Sequence, residues 1–115
     1  VGHSFGGAVV IAAGANSSHI KGVVALSPQT FGAGMAGKVA PRKLLVVHGK
    51  ADTRLPFSCG QQIYDMAKEP KELVLYEGAE HRLEECRDDL ETLLGRWIPE
   101  TLAADIGPGL ASTQQ

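Results

Sequence analysis

Apolar runs too short for helices alternate along this chain with segments of helical periodicity. The runs at residues 21–26 and 43–49 are apolar almost throughout and stop at turn residues, which is typical of strands buried on both faces. A third run covers residues 72–76 and ends before Gly78. The residues that lead into Ser4 have the character of a strand end. We therefore predict three strands after Ser4 and one that stops at it.

The segments between these runs have the composition of helices. Residues 8–15 are apolar all round with small side chains, as expected for a helix packed against a sheet. A second helix is predicted over residues 56–68. The last helix has the clearest period, with apolar residues at i, i+3, i+4, i+7 and i+8, and Pro99 is expected to end it soon afterwards. Its apolar positions are Leu90, Leu93, Leu94, Trp97 and Ile98.

Two segments are predicted to lack regular structure. Residues 29–41 are rich in Gly and Ala and predict a loop, and residues 103–115 have no period and predict a disordered tail. Residues 1–102 then form one α/β domain. Strands that alternate with helices favour a parallel sheet built through right-handed crossovers, flanked by helices. In such sheets, sites form at the carboxyl ends of the strands.

The composition excludes several classes of partner and cofactor. The chain has 115 residues, 43% of them apolar, and a formal charge of -2, which indicates one globular unit. Lys and Arg are scattered and aromatic residues are few, so no nucleic-acid partner is expected. No stretch approaches the roughly 20 apolar residues that span a bilayer, so no membrane partner is expected. No pair of histidines has the spacing of metal ligands, and we predict no metal and no other cofactor.

The two cysteines and the first residue bear on location. Cys59 and Cys86 have no metal-binding spacing, so we expect reduced thiols of an intracellular protein, with a disulfide as the alternative. This favours the cytoplasm. The chain starts at Val1, next to the candidate nucleophile, and we expect it to be a fragment of a longer sequence. The absence of a signal peptide then carries no information, and both location and oligomeric state stay open.

A Gly-x-Ser-x-Gly motif surrounds Ser4. This pattern is the nucleophile elbow, in which a serine sits on a sharp turn between a strand and a helix. Such a turn strains the backbone, and we expect Gly2 and Gly6 to give neighbouring segments room to approach. The helix N-terminus favours a developing oxyanion, with the Phe5 N–H as the candidate donor. The alternative is that Ser4 is only an N-cap.

A serine nucleophile needs a base and a carboxylate that orients it. Asp52 follows the strand at 43–49, and His81 follows the strand at 72–76, so both are expected at the carboxyl edge of the sheet. The order Ser, Asp, His is that of the α/β-hydrolase arrangement. The alternatives are a turn or helix-capping role for Asp52 and a solvated loop position for His81.

Together, Gly-His-Ser-Phe-Gly-Gly, His-Gly-Lys-Ala-Asp-Thr-Arg-Leu-Pro and Gly-Ala-Glu-His resemble the C-terminal half of an α/β-hydrolase fold protein. The resemblance covers residues 1–102, so the early strands of that fold are missing here. The chain is similar to dienelactone hydrolase-like and esterase- or thioesterase-like members. It has Ser4 where true dienelactone hydrolases carry a cysteine.

The resemblance implies a role for each residue of the motifs. Ser4 would attack the acyl carbon of an ester or thioester, His81 would act as general base and then general acid, and Asp52 would fix the His81 tautomer. Phe5 would donate one oxyanion hydrogen bond. In the family the second donor comes from an early strand loop, so we expect the 115 residues alone to be nearly inactive, because one lost donor costs about 10² to 10³ in kcat.

Other residues have weaker assignments. His3 is expected to pack beside the nucleophile or to line the pocket rim, and Phe31 and Leu55 either line an acyl pocket or cover the core. His48 is expected to satisfy backbone groups near the acid turn. The charged residues around His81, at 80–87, are expected to be a solvated helix start.

Other functions stay open for this chain. The same triad also serves peptide cleavage, C–C bond hydrolysis and perhydrolysis. The rival function is a non-catalytic α/β-hydrolase-like binding module or an inactive truncated fragment, whereas the enzyme would take a small-molecule acyl substrate.

Overall fold

The computed structural model describes residues 1–30 and 33–105, and within them four parallel strands form one sheet. The sheet has its strands in chain order, and each pairs in parallel with the next. The predicted α/β class and the predicted strands are therefore confirmed. The strands are β1 (Gly2–His3), β2 (Gly22–Leu26), β3 (Lys43–Gly49) and β4 (Lys71–Tyr76).

Helices connect the strands and cover both faces of the sheet. The α-helices are α1 (Phe5–Asn16), α2 (Ser58–Met66) and α3 (Arg87–Asp105). The predicted loop at 29–41 contains a 3₁₀ helix, Ala33–Lys38, and a 3₁₀ turn, Glu84–Cys86, precedes α3. α2 is shorter at both ends than the predicted 56–68, because Pro56 lies before its first turn and Ala67 has an extended backbone.

The sheet separates two apolar clusters. Val23 and Val46 point to the face covered by α1 and α2, whereas Val24, Leu45 and Val47 point to the face covered by α3. Successive strand residues alternate between the faces, so a strand with both faces covered is apolar throughout. This explains the uninterrupted apolar runs of β2 and β3.

The last helix continues past Pro99 to Asp105. A proline in a helix removes one hydrogen bond and places its ring against the preceding turn. Here Trp97 and Thr101 are buried on either side of it, so tertiary packing holds the backbone helical. Residues 103–105 are thus helical, and the tail predicted for 106–115 lies outside the described residues.

Two further predictions can be compared with the described part of the chain. Cys59 and Cys86 are free thiols, as predicted. Burial raises the pKa of both thiols above the ordinary value. None of the described helices has both the length and the apolar character needed to cross a bilayer.

Candidate active site

Ser4 lies at the carboxyl end of β1, between that strand and the first turn of α1. Its backbone has φ 60° and ψ -121°, a region that residues other than glycine rarely adopt. The turn is fixed by hydrogen bonds: the Ser4 N–H donates to the Leu26 carbonyl at 2.8 Å, and the Ser4 carbonyl accepts from the Gly7 N–H at 2.9 Å. The serine is thus held on a rigid turn at the sheet edge.

The two glycines of the motif differ in what they do. A Cβ on Gly2 would lie 2.1 Å from the Gly6 carbonyl oxygen, so Gly2 is required, as predicted. A Cβ on Gly6 would meet nothing within 4 Å in the described structure, so the prediction that Gly6 provides room is wrong there. The second close approach is at Gly7, where a Cβ would lie 2.9 Å from the Pro28 Cβ.

Asp52 lies in the loop after β3, with its side chain buried. Its Oδ1 accepts hydrogen bonds from the backbone N–H groups of Arg54 and Leu55, both at 2.8 Å. Its Oδ2 is 2.9 Å from His81 Nδ1. Burial by itself raises the pKa of Asp52, but the hydrogen bonds from Leu55, His81 and Arg54 together lower it below its ordinary value. The carboxylate is therefore ionised at neutral pH.

His81 completes a line of three side chains. Its Nε2 lies 3.0 Å from Ser4 Oγ, while Nδ1 faces Asp52. The structure thus brings together Ser4, Asp52 and His81, although β1 and β4 are separated by two strands, about 14 Å. The segment after β4 spans this distance along the carboxyl edge of the sheet.

The main chain of His81 is anchored separately from its ring. The His81 carbonyl accepts hydrogen bonds from the Ser27 hydroxyl at 2.9 Å and from His3 Nε2 at 2.8 Å. The His3 ring also lies beside the His81 ring, with centroids 4.8 Å apart. His3 therefore packs beside the nucleophile. Ser27 is fully buried and was missed in the sequence, where Ser27-Pro28 marks only the end of a strand.

The loops that carry Asp52 and His81 are joined directly. A Cβ on Gly49 would lie 2.2 Å from the Ala79 carbonyl oxygen, so only glycine allows this approach. The Ala79 carbonyl accepts from the Ala51 N–H at 3.0 Å. Beside it, the Glu80 carboxylate accepts from the Thr53 N–H at 2.9 Å and from its hydroxyl.

The charge and position of Glu80 predicted a solvated helix start. Instead, its carboxylate binds the loop that carries Asp52. The hydrogen bonds from the Thr53 hydroxyl and backbone lower the pKa of Glu80 below its ordinary value. The Glu80 N–H donates in turn to Glu85 Oε1 at 2.9 Å. The pattern of charges could not show this, because Thr53 and Glu80 are 27 residues apart.

The remaining predicted residues have separate positions. Phe5 is the first residue of α1, where N–H groups have no acceptor within the helix, and its side chain is exposed. Leu55 is half-buried and serves the acid turn through its backbone N–H. Phe31 lies outside the described residues. Among residues 1–30 and 33–105, no group of three or more His, Cys, Asp or Glu side chains is placed to hold a metal ion.

No protein-family model matches the chain. The uncharacterized protein YfhR of Escherichia coli (strain K12) is 46% identical over 43 residues, which are 37% of this chain and 15% of that protein. The chain thus spans a small part of this curated relative.

Solved structures that resemble the chain include esterases and other hydrolases. The esterase domain of a Rhodothermus marinus protein matches 84% of this chain and 57% of its own, with a TM-score of 0.74 and 20% identity. Est1E from Butyrivibrio proteoclasticus matches 89% and 60%, with a TM-score of 0.74 and 18% identity. Dienelactone hydrolase from Anabaena variabilis matches 90% and 44%, with a TM-score of 0.65 and 20% identity. The chain has the α/β-hydrolase fold and spans about half the length of these proteins.

Proposed function

We propose that this chain carries the catalytic residues of a serine hydrolase that cleaves carboxylic esters or thioesters through an acyl-enzyme. The observation that supports it is the continuous line from Ser4 Oγ through His81 to Asp52, with contacts of 3.0 and 2.9 Å. A hydroxyl, an imidazole and a buried carboxylate at these distances form the arrangement that activates a serine. The hydrolase fold agrees with it.

In the proposed reaction, His81 Nε2 takes the proton of Ser4 Oγ as the oxygen attacks the acyl carbon. The carbonyl oxygen becomes an oxyanion, which the Phe5 N–H stabilises at the start of α1. The C–O or C–S bond to the leaving group then breaks, and His81 gives that group the proton. Water, deprotonated by His81, attacks the acyl-Ser4 ester. The bond from the acyl carbon to Ser4 Oγ breaks, His81 returns the proton to Oγ, and the acid leaves. Asp52 keeps the His81 hydrogen on Nδ1 throughout.

Two of the residues around this line are proposed to border the acyl group. His3 lies beside the His81 ring, and Leu55 follows the acid in the same turn. The reaction as written needs no cofactor.

The test is turnover of p-nitrophenyl acetate and short-chain acyl thioesters by protein expressed from its complete coding sequence. Ser4→Ala is expected to lower kcat roughly 10⁴- to 10⁶-fold. Ser18→Ala, at an exposed serine in the turn after α1, is the matched control and should retain native turnover. A fluorophosphonate probe should label the native protein and Ser18→Ala but leave Ser4→Ala unlabelled.

Each outcome has a definite meaning. Loss in Ser4→Ala alone supports the serine hydrolase and makes acyl preference the next question. Equal turnover in native protein and Ser4→Ala would contradict the proposal. Absence of turnover together with absence of probe labelling would favour a non-catalytic binding module on the same fold. The near-inactivity of the 115 residues alone stays a prediction, tested by assaying them beside the complete product.

A further inference from the structure

A second histidine contacts the turn of residues 52–55, which carries Asp52. His48 is the penultimate residue of β3 and is fully buried. Its Nε2 lies 2.8 Å from the Leu55 carbonyl oxygen. A carbonyl oxygen only accepts, so His48 Nε2 carries a hydrogen and donates it to Leu55. The Leu55 carbonyl thus fixes the form of the His48 ring that has a hydrogen on Nε2.

The same nitrogen also lies near the carboxylate. His48 Nε2 is 3.2 Å from Asp52 Oδ2. Leu55 in turn donates its own N–H to Asp52 Oδ1 at 2.8 Å. His48 therefore donates to the Leu55 carbonyl, and the Leu55 N–H donates to the Asp52 carboxylate. The positive end of the ring N–H lies near the oxygen that receives the His81 hydrogen bond.

The other ring nitrogen shows that His48 is costly to keep. Nδ1 is buried and has no hydrogen-bond partner in the described structure. A Cβ on Gly60 would lie 2.9 Å from it, so α2 packs directly against this nitrogen. An unpaired buried nitrogen destabilises a fold, and an apolar residue of similar size would avoid that penalty. The polar contact that His48 makes in return is the Nε2 hydrogen bond to the Leu55 carbonyl.

We propose, on the basis of the serine hydrolase function above, that His48 is a positioning residue for Asp52. It holds the turn 52–55 through Leu55 and thereby sets the direction from which the carboxylate meets His81 Nδ1. It does not touch substrate and moves no proton. The predicted contribution is to kcat, because the orientation of His81 matters during proton transfer and not during substrate binding.

A pair of amide variants separates the two ring nitrogens. The His48→Gln amide nitrogen can reach the position of Nε2 and donate to Leu55, whereas the shorter His48→Asn amide reaches only the position of Nδ1. We expect His48→Asn to lower kcat on the order of tenfold with KM unchanged, as for the loss of one hydrogen bond. His48→Gln should retain most of the native kcat. His19→Asn, at an exposed turn histidine, is the control. Rates are taken per site labelled by the fluorophosphonate probe.

Nitrogen NMR of the complete protein tests the same point without turnover. The native protein should have hydrogen on His48 Nε2, and the His81 Nδ1–H resonance should broaden in His48→Asn and stay sharp in His48→Gln. Equal kcat in both variants, or hydrogen on His48 Nδ1 alone, would overturn the proposal. Failure of the proposed function is distinct, because Ser4→Ala would then match native protein whatever the His48 resonances show.

Discussion

At the scale of single residues, the surroundings of Asp52 stabilise its ionised form. Its folded pKa lies below the ordinary 3.8, because hydrogen bonds from Leu55, His81 and Arg54 outweigh the opposing effect of burial. The ionised carboxylate therefore stabilises the fold above that ordinary value, and this contribution is lost as the pH falls through the folded pKa.

We expect Asp52→Asn to unfold at lower urea than native protein at neutral pH. The gap should narrow as the pH falls below 3.8 and close below the lowered folded pKa, where native Asp52 also becomes neutral. Urea titrations at neutral pH and at a pH well below 3.8 measure the gap. A gap of the same size at both would show that the carboxylate charge does not stabilise the fold.

Asp52→Asn should also lower kcat roughly 10⁴-fold, with Ser4 still in place. The Asn amide favours the His81 tautomer with hydrogen on Nε2, which cannot accept the Ser4 proton. Steady-state turnover of p-nitrophenyl acetate measures the loss. Asp65→Asn, in α2 and away from the triad, is the matched control. A variant with native kcat would remove Asp52 from the mechanism.

At this scale the sequence predicts the position of a residue where a motif marks it, while the catalytic roles stay predictions. Ser4, Asp52 and His81 each follow a strand, and the rule for parallel sheets placed them at one edge. Ser27 could not be found, because its bond to the His81 carbonyl joins residues 54 apart and depends on strand register. The prediction for Gly6 was wrong because the motif gives the position of a glycine but not which atoms approach it.

At the scale of elements, the fit between the two loops depends on Gly49. Gly49→Ala should destabilise the protein by about 1–3 kcal/mol, because its Cβ would meet backbone that cannot move aside. Gly95→Ala is the matched control, since a Cβ there meets nothing within 4 Å and favours the helix by about 0.5–1 kcal/mol. Thermal unfolding of both variants gives opposite signs. Equal shifts would contradict the close approach.

The Glu80–Thr53 contact joins the same two loops at the surface. Glu80→Ala should speed amide hydrogen exchange at Thr53, because its N–H then loses the acceptor at 2.9 Å. Glu84→Ala, nearby and exposed, should leave that exchange unchanged. Exchange rates by mass spectrometry or NMR decide between them. Faster exchange in both variants would indicate general loosening and not this contact.

The bounds of an element could be predicted where burial determines which residue types it contains. β3 has the bounds predicted for it because both of its faces are covered. The end of α3 was not predictable, since proline signals a stop and only tertiary contacts of Trp97 and Thr101 override it. The 3₁₀ helix at Ala33–Lys38 likewise has no periodic signal, being short and rich in glycine and alanine.

At the scale of the whole molecule, stability rests on two clusters that share one sheet. Trp97→Ala should destabilise the fold by about 3–5 kcal/mol, because the ring fills the space between α3 and the sheet. Thr92→Ala, exposed on the same helix, should change stability by less than about 0.5 kcal/mol. Denaturant unfolding measures both. Similar small shifts would mean that α3 contributes little to the fold.

The α/β class and parallel pairing followed from the alternation of strands and helices alone. The sequence could not show which β2 and β3 residues face which apolar cluster. An unbroken apolar run gives no sign of which residues share a face. Only the structure shows that Val23 faces α1 and Val24 faces α3.

The order of the sheet has a kinetic consequence. Because strand order equals chain order, the sheet can grow one strand at a time along the chain, with every new strand joining a free edge. Ser4 follows β1 and His81 follows β4, so their 3.0 Å contact forms only when all four described strands are paired. In refolding from urea, recovery of Ser4-dependent turnover would therefore time the docking of the segment after β4 against the turn after β1.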